Sequence, residues 1–83
     1  MNKLFEDQGF DDYIYWHKQD PKTFDKINQL LKSIERDGIL SGLGKPERLR
    51  YGDGYSRRID DTNRLVYDVK DDMIIIKTCK GHY

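Results

Sequence analysis

The sequence predicts an α+β domain: a short N-terminal strand, a two-helix antiparallel hairpin, then an antiparallel meander sheet with the helices stacked on one face. Three observations predict it. Apolar residues recur at helical spacing from Phe10 to Ile34. Asp20-Pro21 interrupts that span with a helix-start signal, so there are two helices and a sharp reversal. Beyond Gly44, short alternating runs are separated by turn residues, which is the signature of hairpin-connected strands.

In chain order, Lys3 to Glu6 is a short first strand. Asp7 to Gln19 is the first helix, with Phe10, Tyr13, Ile14 and His17 on one side and Tyr15 and Trp16 off that stripe. Such a helix has two apolar surfaces, to be covered by the sheet and the second helix or in part by a partner chain. Phe24, Ile27, Leu30, Leu31 and Ile34 form the stripe of the second helix, and Gly38 supplies its C-terminal stop. Ile39 to Pro46 is a loop. Strands follow at Glu47–Tyr51, Tyr55–Asp60, Asn63–Lys70 and Met73–Lys80, divided by turns at Gly52-Asp53-Gly54, Asp61-Thr62 and Asp71-Asp72. The run Met73-Ile74-Ile75-Ile76 predicts a central strand buried on both faces.

A chain of 83 residues is one domain, spanning 1–83. A domain this small buries only about 60–65% of its unfolded surface, so its core is modest. Lone Cys79 excludes an internal disulfide and a cysteine-based metal site, and fits a reducing cytoplasm. The N-terminus MNKLFEDQGF lacks the apolar run of a signal peptide or membrane span. Formal net charge is zero, which by itself argues against a nucleic-acid binder. The distribution argues otherwise, because the field at a site depends on local arrangement.

Of the six arginines, all but Arg36 lie between Gly44 and Tyr67. Arginine suits phosphate because its planar fork donates two parallel hydrogen bonds and keeps its charge. Strand alternation puts Arg58 on a face with Ser56 and Asp60, and Arg64 with Val66 and Asp68. A hairpin turning at Asp61 sets Arg58 opposite Arg64. Facing like charges repel, so an anion belongs between them: a bound phosphate, or Glu47, Asp60 or Asp68 in an ordinary ion pair. Arg57 must point the other way, as a structural or partner-facing group.

The candidate acids and bases are Glu47, His17 and His82. His17, on a helix among aromatics, reads as a structural or surface histidine. His82 is either part of a frayed terminus or a general acid delivered by a docked last strand. Glu47, a protonated His82 and arginines between them make a complete set for cleaving RNA through its 2′-hydroxyl. No metal or other cofactor is called for. GLGKPE lacks the spacing and the Ser/Thr of a phosphate-binding loop.

The segments DDYIYW, GKPERL, YSRRI, NRLVYDV and the terminal HY, in that order, resemble the YoeB/Txe toxins of the RelE-like superfamily. The resemblance covers nearly the whole chain. It implies a ribosome-dependent mRNA endoribonuclease, the toxin of a bacterial type II toxin–antitoxin pair. By motif it implies Glu47 as general base, His82 as general acid, Arg64 as transition-state stabiliser and Tyr83 as a substrate-positioning group of the same site. Arg58 would bind phosphate, and Arg50, where relatives commonly carry lysine, would orient substrate; Lys45 of the same GKPE motif joins the substrate-binding set. Implied partners are a YefM-like antitoxin of the Phd/YefM family, the ribosome with its mRNA, and a second copy in a homodimer. The loop between Arg50 and Tyr55 is shorter than usual, Tyr55 replaces a common tryptophan, and Asn63 replaces a common histidine. The alternative reading is a binding module that occupies ribosome or RNA and blocks translation without cutting. A gyrase-directed toxin of the same superfamily is disfavoured by Glu47, His82 and the terminal tyrosine.

Overall fold

A computed structural model of the chain describes residues 1–81. Its elements are β1 (Asn2–Phe5), α1 (Asp7–Gln19), α2 (Pro21–Asp37), β2 (Glu47–Arg48), β3 (Tyr55–Arg58), β4 (Arg64–Lys70) and β5 (Met73–Thr78). The α+β architecture and the helical hairpin are as the sequence predicts. Asp20 caps α2, its carboxylate accepting from the Lys22 and Thr23 amides at 3.2 and 3.4 Å. Ile27, Leu30, Leu31 and Ile34 of α2 are buried against Leu65 and Tyr67 of β4 and Ile74 and Ile76 of β5.

Of the predicted stripe of α1, only Tyr13 lies on the covered side. Phe10 and Ile14 are exposed, and so is His17, whose ring meets the edge of Phe24. The buried side runs instead through Gly9, Asp12, Tyr13 and Trp16. A side chain at Gly9 would overlap the Ile76 carbonyl, so glycine sets how closely α1 lies on β5. Asp12 is buried because it accepts the Cys79 amide proton at 3.0 Å, and Trp16 Nε1 donates to the Cys79 carbonyl at 2.8 Å. A polar residue and an indole thus hold the chain beyond β5, a pattern that apolar periodicity does not register.

The sheet order is β1-β5-β4-β3-β2. It is not purely antiparallel: β1 returns beside β5 in parallel, Phe5 opposite Ile76, because the helical hairpin serves as the crossover. The central strand is β4, and β5 buries Ile74 and Ile76 on the helix side while Met73 and Ile75 are half-covered. The expectation of a central β5 buried on both faces therefore fails, since among the described residues no second helical layer covers the other face. The strands are also shorter than predicted at both hairpins. β2 ends at Arg48 because Leu49 N–H turns back to the Gly54 carbonyl at 3.0 Å. β3 ends at Arg58 because the Ile59 and Asp60 amides both donate to the Asn63 carbonyl.

Candidate active site

The sheet has two faces with different chemistry. Tyr55, Arg57, Leu65 and Tyr67 point at the helices; Glu47, Ser56, Arg58, Arg64, Val66 and Asp68 point away. The register places Glu47 opposite Ser56, Ser56 opposite Val66, and Arg58 directly opposite Arg64. The predicted facing arginines are therefore present. Among the described residues neither makes an ion pair. Arg64 Nη1 reaches only the Ser56 hydroxyl, at 3.4 Å. Asp60 is occupied elsewhere, accepting from the Thr62 and Asn63 amides at 2.8 and 2.7 Å. Burial pushes the Asp60 carboxyl up, but the bonds from Asn63 and Thr62 outweigh this and hold it below the usual range.

Glu47, Arg50, Ser56 and Arg64 line one open cleft of about 600 Å³, with Leu49 and Tyr51 on its wall. Arg58 adjoins it across the ladder. Lys45 does not line it; that residue is exposed in the loop with a left-handed backbone, φ 50°. His82 and Tyr83 lie outside the described residues. Gly81, the residue before them, is tied to the site: its amide donates to Asn63 Oδ1 at 2.8 Å and its carbonyl accepts from the Arg64 amide at 3.1 Å. Among the described residues no three His, Cys, Asp or Glu side chains gather as a metal site would require.

The loop that leads to Glu47 is held by Arg57, which is fully buried. Arg57 Nη2 donates to the Gly38 and Ser41 carbonyls at 2.7 Å each, and Nη1 to the Leu43 carbonyl and Ser33 hydroxyl at 3.0 Å each. Its Nε donates to the Tyr67 hydroxyl at 2.9 Å, which donates on to the Ile39 carbonyl at 2.6 Å. Burial raises the Tyr67 pKa, against the opposing pull of Arg57. The guanidinium thus replaces water for the carbonyls of the loop after α2. Gly44 then passes so near Leu30 and Arg57 that a Cβ would fall within 3.0 Å of both, and its carbonyl accepts from the Arg58 amide at 2.6 Å. This seam delivers Glu47 to its place beside Ser56.

The sequence alone did not single out Ser56, Leu49, Asn63 or Trp16 as site or supporting residues. Asn63 carried one signal, as the departure from a common histidine beside Arg64. Arg57 was legible only as a residue facing away from Arg58.

Comparison with known proteins identifies the family. The family model of the YoeB-like toxin of bacterial type II toxin–antitoxin systems matches residues 5–83. Toxin YoeB of Streptomyces coelicolor is 46% identical over 86 residues, covering all of both chains. The YoeB dimer of Staphylococcus aureus superposes with a TM-score of 0.95 at 52% identity, covering 100% of this chain and 98% of that one. The heterotetrameric YoeB–YefM toxin–antitoxin complex of the same organism does so at 0.92 and 50%, with the same coverage. With a full-length family match, relatives far above 30% identity and the same fold throughout, this chain belongs to the YoeB-like toxins of bacterial type II toxin–antitoxin systems.

Proposed function

We propose that the protein is a metal-independent endoribonuclease that cuts mRNA on the ribosome. The observation that carries this reading is the meeting of Glu47, Ser56 and Arg64 in one cleft, with Arg58 facing Arg64 and neither arginine in an ion pair among the described residues. A scissile phosphate supplies that anion. Glu47 takes the proton of the 2′-hydroxyl. The freed oxygen attacks the adjacent phosphorus, and Arg64 and Arg58 stabilise the charge that grows on the phosphoryl oxygens. The P–O5′ bond breaks as His82 gives its proton to the departing oxygen, leaving a 2′,3′-cyclic phosphate and a 5′-hydroxyl. Tyr83 and Arg50 orient the substrate, and Lys45 adds positive charge along the approach. Asn63, Trp16 and Asp12 support the acid by anchoring the chain up to Gly81.

In this reading the protein works in the cytoplasm. It pairs with itself, as the Staphylococcus aureus dimer does, and is neutralised by a YefM-like antitoxin, as in the complex from that organism. No helix among the described residues is long and apolar enough to cross a membrane.

Toe-printing of an mRNA in a translating extract tests the proposal. New 5′ ends should appear at protein levels far below those of ribosomes. Glu47→Gln should cut roughly 10²–10⁴-fold more slowly with its thermal stability unchanged. Translation arrest with intact message, at one protein per ribosome, would instead establish the non-cutting blocker.

A further inference from the structure

A second cleft lies beside the first. The β2–β3 connection does not stand away from the sheet. Lys77 of β5 donates its ammonium to the Asp53 carbonyl at 3.1 Å, although β4 separates β5 from β3. The connection must therefore lie over β4 on the face away from the helices. Under it opens a cleft of about 300 Å³, lined by Arg48, Leu49, Gly54, Asp68 and Lys70 among others. Arg48 and Leu49 line both clefts, so the two are contiguous.

Asp68 is the unusual group here. The residue is 8% exposed, yet its carboxylate receives little. Oδ1 accepts the Val69 amide at 2.8 Å. Oδ2 has only Lys70, whose ammonium stands 3.8 Å away on a side chain that is 64% exposed. That is too far for a hydrogen bond and belongs to the weak class of surface pairs. A carboxylate offers about four lone-pair positions, and Oδ2 makes no hydrogen bond within the described residues yet is not sealed from solvent, so it is open to a donor from outside. Asp68 lines the second cleft, two residues along β4 from Val66, the partner of Ser56. At ~3.3 Å per residue this is about 6.6 Å beyond the Glu47–Ser56 level, within reach of a neighbouring nucleotide.

We propose that the second cleft, with Asp68 as its reading group, binds a guanine base adjoining the scissile phosphate; this use of it rests on the ribonuclease reading above. Guanine offers N1–H and the N2 amino group side by side, which match the two oxygens of a carboxylate. Adenine and cytosine place a ring-nitrogen acceptor beside their single amino group, and uracil flanks its N3–H with two carbonyls. Each of those edges sets an acceptor against Asp68. Single-stranded RNA is commonly read on these edges. Arg48 and Lys70 at the rim favour a ligand that carries phosphate and disfavour a cationic side chain from a protein partner.

The test is titration of the protein with the four ribonucleoside monophosphates, followed by amide shifts of Gly54 and Val69. Guanosine monophosphate should bind roughly ten-fold or more tightly than the other three, as a bidentate base contact discriminates. The Asp68→Asn variant should bind all four alike. Inosine monophosphate, lacking the N2 amino group, should lose most of the advantage even with the unaltered protein. Equal binding of all four, or a guanine preference that survives in Asp68→Asn, overturns the proposal. Cleavage of mRNAs varied at each base flanking the cut separates the two readings. Selective guanosine binding without cleavage of any message would sink the ribonuclease and keep the subsite. Cleavage indifferent to base, with indifferent nucleotide binding, would do the reverse.

Discussion

Arg57 and Arg58 are consecutive, and the sheet separates them completely. Arg57 is buried on the helix side, where a loop of carbonyls, a serine and a tyrosine take its donors. Arg58 is exposed on the other side, opposite Arg64, and neither has an acidic partner among the described residues. One charge is consumed in building the fold, and the other is left exposed. An arginine cluster counted along a sequence therefore overstates a phosphate site: the pleat halves it. The buried arginine still serves the site, because the loop it holds ends at Glu47.

The contrast is broken most sharply at Arg64. Arg64→Gln should slow cleavage about 10²–10³-fold, the usual cost of removing a preorganised donor to developing charge, while the urea midpoint moves little. Next comes Arg57→Met, which should cost about 3 kcal/mol or more, because several buried carbonyls lose their donors at once. Urea unfolding measures it. Arg57→Lys should recover only part of the loss, since an ammonium cannot span the positions that the guanidinium reaches. If Arg57→Met were as stable as the parent, the assigned role would be wrong.

Arg58→Gln should act in the opposite sense to Arg57→Met. Relieving the repulsion across the ladder should raise stability by roughly 0.2–1 kcal/mol. RNA binding should weaken, with the salt slope reduced by about one phosphate contact. A loss of stability at Arg58 would show that its charge, too, is used by the fold.

A last effect, confined to alkaline pH, concerns the anchor beyond β5. Burial, with a lesser push from the charge of Asp12, raises the Cys79 thiol to about 12. Its contribution to stability is complete below the unfolded thiol value of ~8.5, and is lost as pH rises from there through the folded value. Thermal midpoints should therefore decline across that alkaline window, less so in Cys79→Ala once its own lower baseline is subtracted. In the native protein at neutral pH the thiol should resist alkylation.

The helices were legible because their signals are local. Asp20-Pro21, the α2 stripe and Gly38 each act within a turn or two of chain. The face of α1 was misread because Asp12 is buried and Trp16 half-buried for their hydrogen bonds to residue 79, and Gly9 is buried for its closeness to β5. The arginine pair was legible because strand period and hairpin length together set register. The parallel return of β1 was not, since strand partners across a helical crossover leave no mark on either segment.

By itself, then, the sequence determined the α+β class, the helical hairpin, the family, and the separation of Arg57 from Arg58. All of these follow from near-neighbour periodicity and motif order. Only the tertiary structure decided that Glu47 and Arg64 share a cleft with Ser56, that Arg57 seats the loop before Glu47, and that Asp68 lines a second cleft with one carboxylate oxygen making no hydrogen bond among the described residues. Those facts depend on contacts between strands and on a loop tied across the sheet by Lys77, which only folding brings together.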